Sequence, residues 1–551
     1  MKRLLKVILL LIVLIIVLLA VVLIVGGNVS FDAPARQTVG PEHHTLEADS
    51  GFVRCGESRM RRSSDGLWEL YLQGTPEERG ADYATLAGDL IRHQEDIFIE
   101  RIRSIIPSDT YITMLQRVVL FFNRHLDQYF PDEYKREIYE IAQANTHDYD
   151  FIGDGYLRQL NYHAAHDIGH AMQDYMLVGC SSFAAWGAHS ADSSLVVGRN
   201  FDFYFGSEFA ENKIIMIVRP TEGIPFVSVS WPAFVGVASG MNANGLSVTI
   251  NAAKGEIPTT ARTPISILAR QILQYASNID EAVQIAKQFE TFVSESILVA
   301  ADSDNRAVVI EKSPDKTAVY QPDSDYVLCT NHYQSADFAH DANNLENIAT
   351  SDSKYRLERA DELVKRYSPI DYTDAVAILR DRRGKSDADI GIGNEKSINQ
   401  FICHHSVVFR PHERLMFVST APWQAGKYVC YDLHRLFAGA DFSGEIAEHQ
   451  MDVPASDTLV AEAAQRLTFD RLSALVRAAT DSGTAIAAAT VDSLVMINPN
   501  YFRAYEIVGD YYKAQNQKDK AAEAYRKALT LEIPHLRQRE EIGLKSKESK
   551  E

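Results

Sequence analysis

From residue 180 to about residue 435 the chain reads as a succession of short β-rich runs, and no other feature restricts its fold so strongly. The runs are "SSFAAWGAH", "SLVVGRNFDF", "KIIMIVRP", "PFVSVSW", "FVGVASGMNANGLSVTINAA", "SILVAADSDNRAVVIEK", "YVLCTNHY" and "ICHHSVVFRPHERLMFVSTA". Asn244-Gly245 and Asp304-Asn305 supply hairpin turns between strands. Helical spacing interrupts the runs at about 264–288 and 353–382. Sheets that enclose two helical blocks must bury their outer faces against them, so the pattern predicts an α+β sandwich.

The flanking regions differ in kind. Residues 28–50 lack periodicity and read as a tether. From Asp65 to about residue 178 apolar residues recur at helical spacing, as in Leu86, Leu90, Ile91, Ile97, Phe98 and Ile102. Residues 28–179 are therefore expected to be a tether and a helical segment, 180–450 the strand-rich domain, and 455–551 a small helical domain. Within the last, Tyr505, Val508, Gly509, Tyr512, Ala521, Tyr525, Ala528 and Pro534 are spaced as in a tetratricopeptide repeat. One such repeat cannot bury its own faces. Residues 459–493 are expected to supply a neighbouring helix pair, or the repeat to dock on the strand-rich region, and such a repeat offers a surface to a protein partner.

Residues 1–27 are a separate unit. Between Lys6 and Gly26 lie 19 apolar residues without a charge, close to the roughly 20 that span a bilayer. Lys2, Arg3 and Lys6 before them should stay in the cytoplasm, which places the rest of the chain outside. The reading is a signal anchor, with a cleaved signal peptide and a secreted product as the alternative. A formal charge of -19 excludes nucleic acid as a partner. The five cysteines are Cys55, Cys180, Cys329, Cys403 and Cys430. If Cys180 stays free, the other four allow up to two disulfides, whose formation the sequence leaves open.

Cys180 opens the strand-rich region and follows Gly179. A thiol titrates near pH 8.5 and needs a base, yet His170 and His189 are each about ten residues away. Making the cysteine the first residue of a mature chain answers the need, because an α-amino group with a pKa near 7.7–8.0 is poised to be that base. The thiol can free itself by attacking the Gly179 carbonyl, and a residue without a side chain allows the close approach.

"VGCSSF", "GRNFDF", "MNANGLSVTINAA" and "VLCTNHY", in that order, resemble the N-terminal-nucleophile hydrolases of the choloylglycine hydrolase and penicillin V acylase type. The chain is more similar still to the self-cleaving isopenicillin-N acyltransferase-like branch, from roughly residue 70 to about 435. The resemblance implies a four-layer αββα fold, with Cys180 as nucleophile and its freed amine as base. It further implies Asp202 as the carboxylate that holds the amine, Arg199 as the guanidinium beside the thiol, and Asn251 and Asn331 as oxyanion donors. Arg356 matches a later family arginine, with Arg359 nearly as good a match. The implied activity is cleavage or transfer at a non-peptide N-acyl amide of a small molecule, through an acyl-enzyme, with no metal or organic cofactor. Hydrolysis and acyl transfer both stay open.

Two readings compete with this one. His163, His166 and His170 fall at i, i+3 and i+7, one face of a helix, and would serve a zinc-dependent hydrolase. Asp167 is one methylene shorter than the Glu of the H-E-x-x-H motif, and no third-ligand context is evident. The other is a non-catalytic scaffold built around the C-terminal repeat.

Overall fold

The structure, a computed structural model, describes the backbone of residues 2–49, 51–171, 177–256, 258, 260–439 and 442–549. It opens with α1 (Lys2–Gly26), whose Leu9–Gly26 stretch has mean hydropathy 3.7 and is long enough to cross a membrane. Four strands follow: β1 (Glu47–Asp49), β2 (Phe52–Cys55), β3 (Ser58–Arg62) and β4 (Trp68–Gly74). β4 corrects the helical reading of the stretch from Asp65 onward, and β1 lies in the stretch read as a tether. The helical part comes next, as α2 (Pro76–Ile105), α3 (Asp109–Phe122), α4 (Asp132–Ile141) and α5 (Gly155–Ala171). Thr75 and Glu78 start α2 with a reciprocal capping box, and Pro76 sits in its first turn.

The short strand β5 (Leu177–Val178) leads into Gly179. Beyond it come β6 (Ser181–Ala185), β7 (Val196–Phe201), β8 (Phe203–Tyr204), β9 (Ile214–Pro220), β10 (Phe226–Ser230), β11 (Ser239–Asn242) and β12 (Leu246–Ala252). After α6 (Ile265–Tyr275) and α7 (Ile279–Gln288) the chain forms β13 (Glu295–Ala301), β14 (Arg306–Lys312), β15 (Thr317–Tyr320) and β16 (Tyr326–Cys329). Three helices follow, α8 (Ala342–Thr350), α9 (Ser353–Tyr367) and α10 (Tyr372–Leu379), then β17 (His405–Arg410), β18 (Leu415–Ser419) and β19 (Tyr428–Asp432). Gly245 (φ +78°) and Asn305 (φ +43°) occupy the left-handed positions of the two hairpin turns read from the sequence.

Two sheets carry the fold. The larger has the order β1-β2-β3-β4-β9-β10-β11-β12-β13-β14-β15, and the smaller the order β16-β6-β7-β17-β18-β19. β4 pairs with β9 in parallel, from Trp68 opposite Ile214 to Gly74 opposite Pro220, so the N-terminal strands extend the main sheet. Three apolar layers follow from the alternation of side chains along the strands. Ile215, Ile217, Val229 and Leu298 of the large sheet meet Val197, Val407, Phe409 and Val418 of the small one between the two. Ile214, Met216, Val248 and Val299 face the other way, against Ile91 of α2, Tyr134 and Ile138 of α4, Leu160 of α5 and Leu268 of α6. On the far side, Phe183, Val196, Val408 and Phe417 are covered by Leu363 and Val364 of α9 and Val376 of α10. The result is a helix–sheet–sheet–helix sandwich, the α+β layering read from the sequence.

The chain ends in helices: α11 (Leu433–Phe437), α12 (Asp457–Ser482), α13 (Ala488–Ile497), α14 (Phe502–Ala514), α15 (Lys518–Leu529) and α16 (Leu536–Glu548). α12 to α16 have their own core, with Phe469, Val476, Leu494, Phe502, Tyr525 and Ile542. α14 and α15 pack so closely that a Cβ on Gly509 would lie 2.5 Å from the Tyr525 ring. All five cysteines are buried free thiols.

Candidate active site

Cys180 lies at the start of β6, where the small sheet meets the large one. Pairing of β6 with β7 sets Ser181 opposite Asn200 and Ser182 opposite Arg199, while β16 sets Cys329 opposite Ser182 on the other edge. Val197, Arg199 and Phe201 alternate onto the inter-sheet face of β7. Arg199 therefore crosses the gap and donates to the carbonyl oxygens of Ala238 and Ile250 and to Ser239 Oγ. Its Nη2 stands 3.6 Å from Cys180 Sγ. The thiol itself points to the carbonyl oxygen of Asp202, at 3.9 Å. Burial pushes the Cys180 thiol above its ordinary range, against the pull of the Arg199 guanidinium. The neighbouring cation does not offset the effect of burial on the thiol.

Asp202 is the most unusual group here. It is fully buried, and among the described residues neither carboxylate oxygen has a hydrogen-bond partner. Burial pushes its pKa up to about 8, even though Arg356 and Arg199 both pull it down. Its backbone oxygen accepts from the Gly179 N–H at 3.1 Å. A buried carboxyl without a donor is costly, and in native structures such a group calls for a specific cause.

The remaining sequence-derived residues converge on the same strand. Arg356, on α9, donates to the Cys180 carbonyl oxygen at 2.6 Å, to Ser181 Oγ at 3.1 Å and to Asn331 Oδ1 at 2.7 Å. Asn331 Nδ2 donates to Ala252 O at 2.8 Å. Asn251 Oδ1 accepts from Ser182 Oγ at 2.8 Å, and its Nδ2 donates to Cys329 O at 3.1 Å. Each amide NH2 thus commits one hydrogen to a carbonyl and keeps a second. Arg359, the other candidate arginine, points elsewhere: it is paired with Asp381, Asp387 and Glu362, so the geometry separates the two.

Several contributors carry no sequence signal. Asp352 pairs with Arg356 at 3.3 Å, Ser353 Oγ accepts from the Asn331 N–H, and Asn347 Nδ2 donates to Asn331 O. Gln400 Nε2 donates to the carbonyl oxygen of Gly179 at 3.0 Å. His404 and His405 share a contact between their Nδ1 atoms at 2.8 Å, and His405 Nε2 meets Ser239 Oγ at 2.8 Å. Burial holds both imidazoles well below their ordinary range. Asp352, Ser353, Asn347 and Gln400 sit on loops and helix ends, where no periodicity marks them, while His405 opens β17.

The histidine face does not offer His163 to a metal. Its Nδ1 lies 2.8 Å from Gln159 O, and its Nε2 accepts from the Val235 N–H at 3.0 Å. The side chains of His166 and His170 lie outside the described part of the chain. Asp167 accepts from the N–H of Ile265 at the start of α6. Elsewhere Asp65, His449 and Asp452 bring ligand atoms together, but Lys427 Nζ already stands 2.6 and 3.1 Å from the two carboxylates.

Comparison with known proteins finds one family and several proteins to which this part of the chain is similar. Residues 189–421 match the model of the acyl-coenzyme A:6-aminopenicillanic acid acyl-transferase family. An uncharacterised protein of Archaeoglobus fulgidus is 28% identical over 279 residues, 48% of this chain and 46% of that protein. The N-acylethanolamine-hydrolyzing acid amidase of Caenorhabditis elegans is 25% identical over 226 residues, 39% of this chain and 59% of that protein. The chain thus spans about half the length of these relatives. Among solved structures, a Caenorhabditis elegans N-acylethanolamine-hydrolyzing acid amidase ortholog is 18% identical with a TM-score of 0.31, over 42% of this chain and 93% of that one. A mutant of the conjugated bile acid hydrolase from Clostridium perfringens is 13% identical with a TM-score of 0.32, over 49% of this chain and 95% of that one. The family match takes in Arg199, Asp202, Asn251, Asn331 and Arg356 and begins nine residues after Cys180. Over residues 189–421, then, the chain is similar to the acyl-coenzyme A:6-aminopenicillanic acid acyl-transferase family.

Proposed function

We propose that this chain is a self-processing cysteine amidohydrolase or acyltransferase that acts on N-acyl amides through an acyl-enzyme at Cys180. The observation that carries the reading is Asp202, a buried carboxyl with two unused oxygens beside an intact Gly179–Cys180 bond. Cleavage of that bond creates an α-amine at Cys180, and an amine is the donor the carboxyl lacks. Pairing with the new ammonium offsets the desolvation that now raises Asp202. The relative that hydrolyses N-acylethanolamines acts on a bond of the same chemical kind.

Turnover then runs on groups of this chain. The freed amine takes the thiol proton, with Arg199 stabilising the sulfur charge, and the thiolate attacks the amide carbonyl. The second amide hydrogens of Asn251 and Asn331 face the developing oxyanion, each such donor being worth about 2.7–4 kcal/mol when preorganised. The amine returns the proton to the leaving nitrogen, and water or an acceptor amine resolves the thioester. Arg356 holds the Cys180 carbonyl and Asn331 in one frame, and so acts as a positioning residue. α1 tethers the enzyme to a membrane, its basic N-terminal flank inside and the catalytic layers outside. The α14–α15 pair is the tetratricopeptide-like unit, with a face for a protein partner.

The test is to incubate the protein with N-acyl amides of graded acyl length and measure the mass of the peptide that begins at Cys180. The reading predicts a thioester adduct there, discharged faster by hydroxylamine and absent in Cys180→Ala. Amide turnover that persists in Cys180→Ala would contradict it.

A further inference from the structure

Gln400 touches the bond that the Cys180 reading breaks. Its Nε2 donates to Gly179 O at 3.0 Å, and the side chain is 1% exposed. It presses so closely on Gly179 that a Cβ there would lie 2.4 Å from Nε2. Attack of Cys180 Sγ on this carbonyl turns Gly179 O into an oxyanion, the atom to which Gln400 already donates.

The loop that carries Gln400 is held from two sides. Within it, Asn399 Oδ1 accepts from the Phe401 N–H at 3.0 Å, and Phe401 adopts φ +54°, a left-handed conformation that surroundings must enforce. The Phe401 ring is buried against Trp423 and Ala463 of α12. The C-terminal helices grip the rest. Asn498 accepts from the Ile392 N–H at 3.0 Å and donates to Ile392 O at 2.8 Å. Arg503 pairs with Glu395 at 2.6 Å, Arg466 donates to Gly393 O at 3.2 Å, and Lys396 pairs with Glu532 at 2.6 Å. Asn394 Nδ2 donates to Glu532 O at 3.0 Å.

We propose that the Gln400 amide is the oxyanion donor of the self-cleavage step, and that the C-terminal helices exist in part to hold its loop in place. The inference rests on the Cys180 reading and deepens it. In the step, the thiol loses its proton and Sγ bonds to the Gly179 carbonyl carbon. The tetrahedral oxyanion is held by Gln400 Nε2–H. Its collapse breaks the Gly179–Cys180 C–N bond, and the leaving nitrogen takes the proton to become the α-amine. Water then cleaves the thioester to give a Gly179 carboxylate and the free Cys180 thiol.

The test follows the conversion of newly made full-length chain into two fragments. Gln400→Glu keeps the shape and replaces the donor by a carboxylate, and Gln400→Ala removes it. Both are expected to slow cleavage by about 100-fold or more. The Gln400→Glu deficit should shrink as pH falls toward the carboxylate range, where a protonated Glu regains an O–H donor, a response that a purely structural defect would not give. Asn498→Ala, far from the bond, should slow cleavage about tenfold by loosening the loop. Cleavage of Gln400→Glu at the wild-type rate overturns this inference and leaves the Cys180 reading standing. A wild type that stays uncut overturns both.

Discussion

Asp202 shows most clearly how a single residue ties stability to chemistry. An ordinary carboxyl titrates near 3.9, whereas the buried Asp202 of the uncut chain is pushed up to about 8. Below the ordinary range it is neutral whether the chain is folded or not. Between there and about 8 the unfolded chain releases its proton and the folded one keeps it, so stability falls as pH rises, and the loss is complete above about 8. Urea midpoints of the uncut Cys180→Ala protein should therefore drop from pH 5 to 8.5, and the added Asp202→Asn change should flatten that drop. Parallel profiles would contradict the assignment. At this scale the sequence was informative where motifs are local: Cys180, Arg199, Asp202, Asn251, Asn331 and Arg356 all meet around one strand end. Gln400, Asp352 and Asn347 were not legible, because each acts through a long-range hydrogen bond that leaves no spacing pattern.

Among elements, the β6–β7 hairpin sets the site, and its register depends on Gly198. A Cβ at that position would lie 2.4 Å from the Phe183 ring across the pair. Gly198→Ala should cost about 1–3 kcal/mol through overpacking, read as a lower urea midpoint in the Cys180→Ala background; an unchanged midpoint would contradict the packing. The hairpins at Asn244-Gly245 and Asn305 were legible because their turn chemistry is local. The strands of residues 47–74 were not, and the reason is physical. β3 carries Arg61 inward, where it pairs at 3.2 Å with Glu69, its cross-strand neighbour on β4. Tyr431 of the small sheet donates to the same Glu69 at 2.9 Å. A strand whose buried face is ionic breaks the apolar alternation by which strands are recognised, and β4 finds its parallel partner β9 about 140 residues away.

At the scale of the whole molecule, the segment before Cys180 is part of the same body as the segment after it. β4 forms the seam with β9, and α2, α4 and α5 share one apolar core with the large sheet. After self-cleavage the two fragments should co-elute in gel filtration and separate only in denaturant, because that core has no other cover; an N-terminal fragment that elutes alone would contradict this packing. Removal of residues 2–27 should move the protein from the membrane to the soluble fraction of an extract, and retention on the membrane would contradict the tether. The layering of two sheets between helices was legible as a class, whereas the seam that joins the two halves was not, since parallel pairing across a helical crossover has no signature in either strand alone. The central claim is that Cys180 cuts its own chain to become an N-terminal nucleophile, and intact mass with N-terminal sequencing, run beside Cys180→Ala, tests it most directly. The account predicts two fragments from the wild type, the larger beginning Cys-Ser-Ser-Phe, and one uncut chain from the variant. A wild type recovered as a single chain, with Gly179 still joined to Cys180, would contradict it.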